Sequence, residues 1–425
     1  MKRPRLFLAA SVAAILLAGC GGGRFAPATP SGVSPSVGSH SVRSATGGYQ
    51  LLYSFKGTPD GASPLSGLLA VHGTMYGTTL NGSSNYCSQS CGSNECYLGC
   101  GTVFSVDKAG SESVVYNFKG NFNSAQDGSW PFAGLTSMGG SLYGTTSSAG
   151  LGYGTVYTVS TSGSETVLYR FTGGSDAEDS EATMIAVNGT LYGTSVYGGG
   201  TGCGGAGCGT VFAVTPAGKE SVLYRFTGGS GGDRVYAGLT YLHGKFYGAT
   251  LEGGSGCGST GCGTIFSLTR AGKQHVLYRF SGTADGGYPN GLTAVKDVLY
   301  GTTEGGGSKN SGTFFSITKS GKLQTLYSFQ DIPDGNLPGA NLLYLKGNFY
   351  GTTVGGGTAG KGTAFEINPS GSSETVLHSF EGGTDGSDPQ APLIALGSKL
   401  YSTTYTGGGT GCSGNGCGTI FSVKP

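Results

Sequence analysis

Leu142-Tyr143-Gly144-Thr145-Thr146 decides the fold, because it is not alone. Variants recur with the tyrosine at Tyr76, Tyr143, Tyr192, Tyr247, Tyr300, Tyr350 and Tyr401, at gaps of 67, 49, 55, 53, 50 and 51 residues. Each copy follows a short apolar segment and a tight turn. In the fifth copy this reads Gly291 to Val295, then Lys296-Asp297, then Val298 to Thr303. A second phrase, Gly-Thr-Val-Phe or a close variant, starts at Gly101, Gly154, Gly209, Gly263, Gly312, Gly362 and Gly418. A third, Leu-Tyr-x-Phe, covers 52–55, 115–118, 168–171, 223–226, 277–280, 326–329 and 377–380, the last with His378 in the tyrosine place.

Each cycle therefore supplies four strands of about five residues, rich in β-branched and aromatic side chains and separated by glycine turns, as antiparallel hairpins require. No stretch after the N-terminal leader has a 3.6-residue period. Four strands at a period near 50 residues match a propeller blade better than a solenoid coil. The expected fold is all-β, a seven-bladed β-propeller over residues 49–425 with four antiparallel strands per blade. The phase of the cycle adds a closure. The repeats open with a lone Leu52–Phe55 strand and end with a lone strand from Gly418, so the N-terminal strand is expected to complete the last blade and remove two open edges.

Glycine accounts for 86 of 425 residues, far above the usual share of about 7%, but at fixed repeat positions, which favours tight turns over disorder. Charged residues make up 11% and the net charge is +1. No basic stripe is present, so nucleic acid is not an expected partner.

Residues 1–20 read as a leader. Lys2, Arg3 and Arg5 precede an apolar run, Leu6 to Leu17, too short to span a bilayer. The run ends Leu17-Ala18-Gly19-Cys20, which resembles a bacterial lipobox and implies cleavage before Cys20 and lipidation of its thiol. Glycine after Cys20 is compatible with sorting to the outer membrane. The expected address is therefore exported and lipid-anchored, periplasmic or at the cell surface, with the membrane as a partner through the anchor. Residues 21–48, rich in Gly, Ser, Pro and Ala, are expected to be a flexible tether.

The other ten cysteines all lie between a Leu-Tyr-Gly-Thr-Thr and a Gly-Thr-Val-Phe phrase. An even number in an exported chain reads as disulfides. Three pairs are spaced C-x4-C: Cys203–Cys208, Cys257–Cys262 and Cys412–Cys417. For the four in the first repeat the expected pattern is nested, Cys87–Cys100 with Cys91–Cys96. The alternative is a zinc site of four thiolates where two such loops meet.

The loops between the second and third strands and the loops between blades share one face. That face carries the cysteines and the long loops, so a site is expected there. The interblade loop repeats as Asp-Gly-x-x-Pro, with Asp60, Asp127, Asp285, Asp334 and Asp385. Repeats three and four depart from it and offer Asp176 with Asp179, and Asp233. One reading is a turn fixed by Asp, Gly and Pro. The other is a ring of carboxylates that binds calcium or a glycan. Trp130, the single tryptophan, breaks the repeat symmetry and is a further contact candidate. No catalytic residue stands out. The five histidines are dispersed, and no nucleophile elbow, zinc motif or phosphate loop is present. No metal site and no cofactor beyond calcium are expected.

With these phrases in hand, the chain resembles the GloVer tandem-repeat family of bacterial surface proteins, from Tyr49 to Pro425. The resemblance implies an exported, surface-held repeat protein and carries no catalytic residue across. The expected function is a monomeric, non-catalytic binding propeller for a glycan, matrix component or protein. The alternatives are a carbohydrate hydrolase or lyase on the same scaffold, or a purely structural envelope protein.

Overall fold

A computed structural model describes residues 42–44, 48–85, 87–91, 94–97, 99–120, 127–148 and 152–425, and of residues 42–44, 88–91 and 94–97 the backbone only. The leader with Cys20, most of the tether and the Cys91 and Cys96 side chains lie outside the described residues.

Among the described residues the repeats form seven antiparallel four-stranded blades of a propeller, the sheet of blade six being extended to six strands by Val42–Ser44 and Gly335–Pro338. Blade two shows the plan: Thr136–Met138, Ser141–Thr146, Thr155–Val159 and Glu165–Arg170 pair in chain order. In blade seven the order is Ile394–Leu396, Lys399–Thr404, Thr419–Val423 and then Gln50–Ser54 from the other end of the repeat region. Leu51 pairs with Phe421 and Ser54 with Thr419, so the N-terminal strand closes the ring. One difference from the expected tether is local. Val42–Ser44 runs parallel to the outer strand of blade six, Arg43 opposite Thr375.

Three repeated contacts explain the recurring phrases. First, the glycine of Leu-Tyr-Gly-Thr-Thr faces the aromatic ring of Gly-Thr-Val-Phe across the sheet, as Gly77 faces Phe104. A Cβ on Gly77 would lie 2.5 Å from Phe104 Cζ, so the ring occupies the space a side chain would take. Second, the last Thr of one phrase bonds the Thr of the other. Thr79 Oγ1 and Thr102 Oγ1 are 2.7 Å apart, and all seven blades repeat the pair, with Ser195 replacing Thr in blade three. Third, the Phe of Leu-Tyr-x-Phe meets the next blade's aromatic ring edge-to-face. Phe55–Phe104, Phe118–Tyr157 and their five counterparts have centroids 5.0–5.4 Å apart. Such pairs add about 0.5–1.5 kcal/mol each beyond area burial.

The core is accordingly divided. Seven apolar clusters each lie between two neighbouring blades; one joins Phe55 and Ile420 of blade seven to Met75 and Phe104 of blade one. Among the described residues no helix is long and apolar enough to cross a membrane.

Candidate functional site

The glycine that opens each Gly-Thr-Val-Phe phrase starts the construction of the loop face. Gly101 has φ +90°, and a Cβ there would meet Pro131 Cδ and the Thr79 carbonyl, both at 2.5 Å. The Asp-Gly-x-x-Pro proline of one blade thus rests on the Gly of the blade before it. Directly before that Gly stands Cys100, Cys208, Cys262 or Cys417 in four blades, and Tyr153, Ser311 or Lys361 in the other three. The disulfides Cys87–Cys100, Cys203–Cys208, Cys257–Cys262 and Cys412–Cys417 are formed. None of these eight sulfurs is left as a thiolate for zinc.

The carbonyl at that position anchors the next blade. It accepts the N–H of the residue just before the proline position, from Trp130 to Cys100 at 3.0 Å, Arg234 to Cys208 at 3.0 Å, Tyr288 to Cys262 at 2.8 Å and Ser63 to Cys417 at 2.8 Å. Asp179, Leu337 and Asp388 make the same bond to Tyr153, Ser311 and Lys361 at 3.0–3.1 Å. All seven donors are held in the left-handed region, with φ between +55° and +62°. For residues other than glycine this conformation costs on the order of 1 kcal/mol, and it persists where surrounding bonds over-determine it. The seven side chains are half-buried and almost all unlike: Ser63, Trp130, Asp179, Arg234, Tyr288, Leu337 and Asp388. The fold fixes their backbone and leaves their chemistry open.

The interblade aspartates lie just ahead of this ring. Asp60 accepts the Tyr53 hydroxyl at 2.8 Å and the Lys56 N–H at 2.8 Å. Tyr116 bonds Asp127 at 2.6 Å, Tyr278 bonds Asp285 at 3.1 Å, and Tyr327 bonds Asp334 at 2.8 Å. In blade six His378 Nε2 takes the tyrosine's part, 3.0 Å from Asp385 Oδ2, with Tyr49 stacked on its ring at 3.7 Å. Repeat three keeps the pattern through Asp176, which accepts from Tyr169 at 3.1 Å. These carboxylates fasten the Leu-Tyr-x-Phe strand to the following turn. Of the sequence-derived ligand candidates, Trp130 and Asp179 belong to the left-handed ring.

Beside most of these pairs sits a carboxyl from the next blade's outer strand, which the sequence did not single out. Burial pushes Glu112 up to about 8 and Glu165 and Glu220 up to about 7, with the charges of Asp60, Asp127 and Asp176 respectively as added causes.

The ring loses its symmetry in blades three and four. Asp179 and Glu181 are both raised above the usual carboxylate range by burial, and further by the charges of Glu178 and Asp179 respectively. The Arg234 guanidinium donates to Glu252 at 2.7 Å and lies 5.9 Å from the centre of the Tyr197 ring. Burial also raises the Tyr197 phenol, which feels Arg234, Asp179, Glu181 and Glu252. Sequence reasoning missed this cluster, although the signal was present. These are the two repeats that lack the Asp-Gly-x-x-Pro proline, with Ser180 and Val235 in its place.

The repeat carries a recognisable signature along its whole length. A family model described as Gloeobacter/Verrucomicrobia repeat matches residues 40–206, 89–315 and 201–421. The chain belongs to this family. No curated protein matches this Gloeobacter/Verrucomicrobia repeat chain. Among solved structures it is similar to the nidogen/laminin complex, at 13% identity and TM-score 0.40, over 65% of this chain and 89% of that one. It is also similar to the tricorn protease, at 12% identity and TM-score 0.41, over 80% of this chain and 28% of that one. A candidate 6-phosphogluconolactonase from Bacteroides uniformis matches at 14% identity and TM-score 0.48, over 79% of this chain and 89% of that one. Likeness at this level carries no activity across.

Proposed function

We propose that this repeat propeller is a non-catalytic binding module of the bacterial cell envelope. It is held to the outer membrane as a monomer by a lipid on Cys20, and it engages a glycan, matrix component or protein with its disulfide-braced face. One observation carries the reading. Seven equivalent left-handed positions, each bonded to the neighbouring blade, present nearly seven different side chains. A purely structural ring would repeat one side chain there, as it repeats its Phe and Thr contacts.

The test is a screen of the full-length protein against glycans and cell-surface proteins, with and without calcium. Binding that Trp130→Ala and Tyr288→Ala weaken supports the reading; no binding at all favours a structural protein. The anchor is tested by incorporation of labelled fatty acid, which Cys20→Ser abolishes.

A second reading is favoured by the Asp179–Glu181 cluster. Two buried carboxyls this close share a proton, so one can act as acid and the other as base in a hydrolytic step. Turnover of a polysaccharide, lost in both Asp179→Asn and Glu181→Gln, would replace the first reading.

A further inference from the structure

One of the seven interblade turns has moved its carboxylate. Tyr224 corresponds to Tyr53, Tyr169, Tyr278 and Tyr327, each of which bonds an Asp seven residues further on. Seven residues after Tyr224 stands Gly231. Gly232, with φ +90°, fills the glycine place, and Asp233 falls two positions beyond the Asp place. Asp233, which the sequence offers where repeat four departs from the Asp-Gly-x-x-Pro pattern, is therefore not a counterpart of Asp60, and no tyrosine bond to it is formed among the described residues.

Its carboxylate is left in an unusual setting. Asp233 Oδ1 is buried and has no hydrogen-bond partner among the described residues. Asp233 Oδ2 stands 3.2 Å from Cys203 Sγ, which is bonded to Cys208 and has no proton to give. Asp233 pairs with Glu252 through mutual backbone hydrogen bonds of 3.0 and 3.2 Å, an arrangement that puts both side chains on one side of the ribbon. Arg234 is tied to Glu252 at 2.7 Å.

These residues line a cavity of about 290 Å³, completed by Cys203 and the glycine-rich loop from Gly253 to Gly261. The loop is pinned by Cys257–Cys262. Two carboxylates and one guanidinium give the cavity a net charge of −1. No aromatic ring lines it, so a sugar cannot be held there by stacking. Recognition must come from charge and hydrogen bonds, and the excess of negative charge in the lining, with Asp233 free of any cationic side-chain bond among the described residues, favours a cationic donor.

We propose that the blade-four cavity binds the ammonium-bearing ring of an amino sugar, with Asp233 taking the ammonium. The Arg234–Glu252 pair and the backbone of the Gly253 to Gly261 loop take the ring hydroxyls. This deepens the binding reading given above and rests on it.

The experiment is calorimetric titration of the full-length protein with oligomers of glucosamine, of N-acetylglucosamine and of glucose. Glucosamine oligomers bind, and the other two bind at least tenfold more weakly, because acetylation removes the charge and glucose lacks the nitrogen. Asp233→Asn lowers glucosamine affinity at least tenfold without lowering the melting temperature, since Oδ1 has no hydrogen bond to lose and Oδ2 faces only a disulfide sulfur. Asp285→Asn, in the turn of the next blade, leaves that affinity unchanged. Equal binding of the acetylated oligomers, or undiminished binding by Asp233→Asn, overturns the proposal. So does a protein that binds another ligand in the wider screen but not glucosamine oligomers. If nothing binds in either experiment, the binding reading itself falls.

Discussion

The Glu374 carboxyl of blade six is buried within reach of the Asp334 charge at the end of blade five, and neither of its oxygens has a hydrogen-bond partner among the described residues. Asp334 is committed to Tyr327 and to the Gln330 and Gly335 N–H groups. Burial first, and the Asp334 charge second, push Glu374 up to about 9. Its unfolded value is near 4.5, so the folded protein holds an extra proton between about pH 4.5 and 9. Stability is therefore greatest at the acid end of that window and falls as pH rises towards 9. Glu112, Glu165 and Glu220 act in the same direction up to about 7–8. Melting temperatures taken from pH 5 to pH 9 should decline, and Glu374→Gln should decline less. A melting temperature that rises across this range would contradict the assignment.

The blades, their four strands and the ring closure were legible because seven copies must make the same contacts, as the repeated Phe55–Phe104 and Thr79–Thr102 pairs show. The Asp–Tyr pairs have a regular spacing, 7 residues in Tyr53–Asp60, Tyr169–Asp176, Tyr278–Asp285 and Tyr327–Asp334, and only Tyr116–Asp127, at 11, departs from it. The left-handed ring leaves no mark of its own, since Leu337 and Trp130 are not residue types that announce positive φ. Its one trace is negative: the column before the proline is the place where the repeats disagree. Repeat four departs from the Asp-Gly-x-x-Pro pattern in its sequence, and the backbone shows how: Gly231 stands in the place of Asp60.

Ring closure gives the second prediction. A chain that begins at Gly57 lacks Gln50–Ser54, exposes the edge of Thr419–Val423 and loses Phe55, which is 3% exposed between blades seven and one. Loss of a buried Phe alone costs about 3–5 kcal/mol. The shortened protein should melt well below the full chain and aggregate through its open edge. Equal melting temperatures would show that the N-terminal strand does not close the ring.

The disulfides hold the carbonyls to which the left-handed residues are bonded. Cys203 and Cys208 are 5 residues apart, and closing so short a loop is worth about 2 kcal/mol. Cys203→Ser with Cys208→Ser should lower stability by about that amount in chemical denaturation. The same double change should raise hydrogen exchange at the Arg234 N–H, which bonds the Cys208 carbonyl. The Leu337 N–H, anchored on Ser311, should exchange as before. Mass spectrometry after alkylation without reduction should find Cys87, Cys100, Cys257, Cys262, Cys412 and Cys417 of that variant unalkylated, because they remain in disulfides.

Gly351 and Phe365 allow the sheet plan to be tested by exchange of volume. They face each other in blade six, Phe365 is fully buried, and a Cβ on Gly351 would lie 2.6 Å from Phe365 Cζ. Gly351→Ala should cost about 1–3 kcal/mol through overpacking. Phe365→Leu should also destabilise, because it empties part of the space between blades five and six. The two changes relieve each other, so the double variant should be more stable than the sum of the single effects implies, by more than about 0.5 kcal/mol. Blade seven supports the expectation, since Ser402 occupies the glycine place opposite Phe421. Its hydroxyl donates to the Ala391 carbonyl at 3.0 Å, and both side chains remain fully buried. A small side chain is thus accommodated where the hydroxyl finds an acceptor, which predicts that Gly351→Ser costs less than Gly351→Ala despite its extra atom. Strict additivity of Gly351→Ala with Phe365→Leu would mean that the ring does not fill the glycine's space.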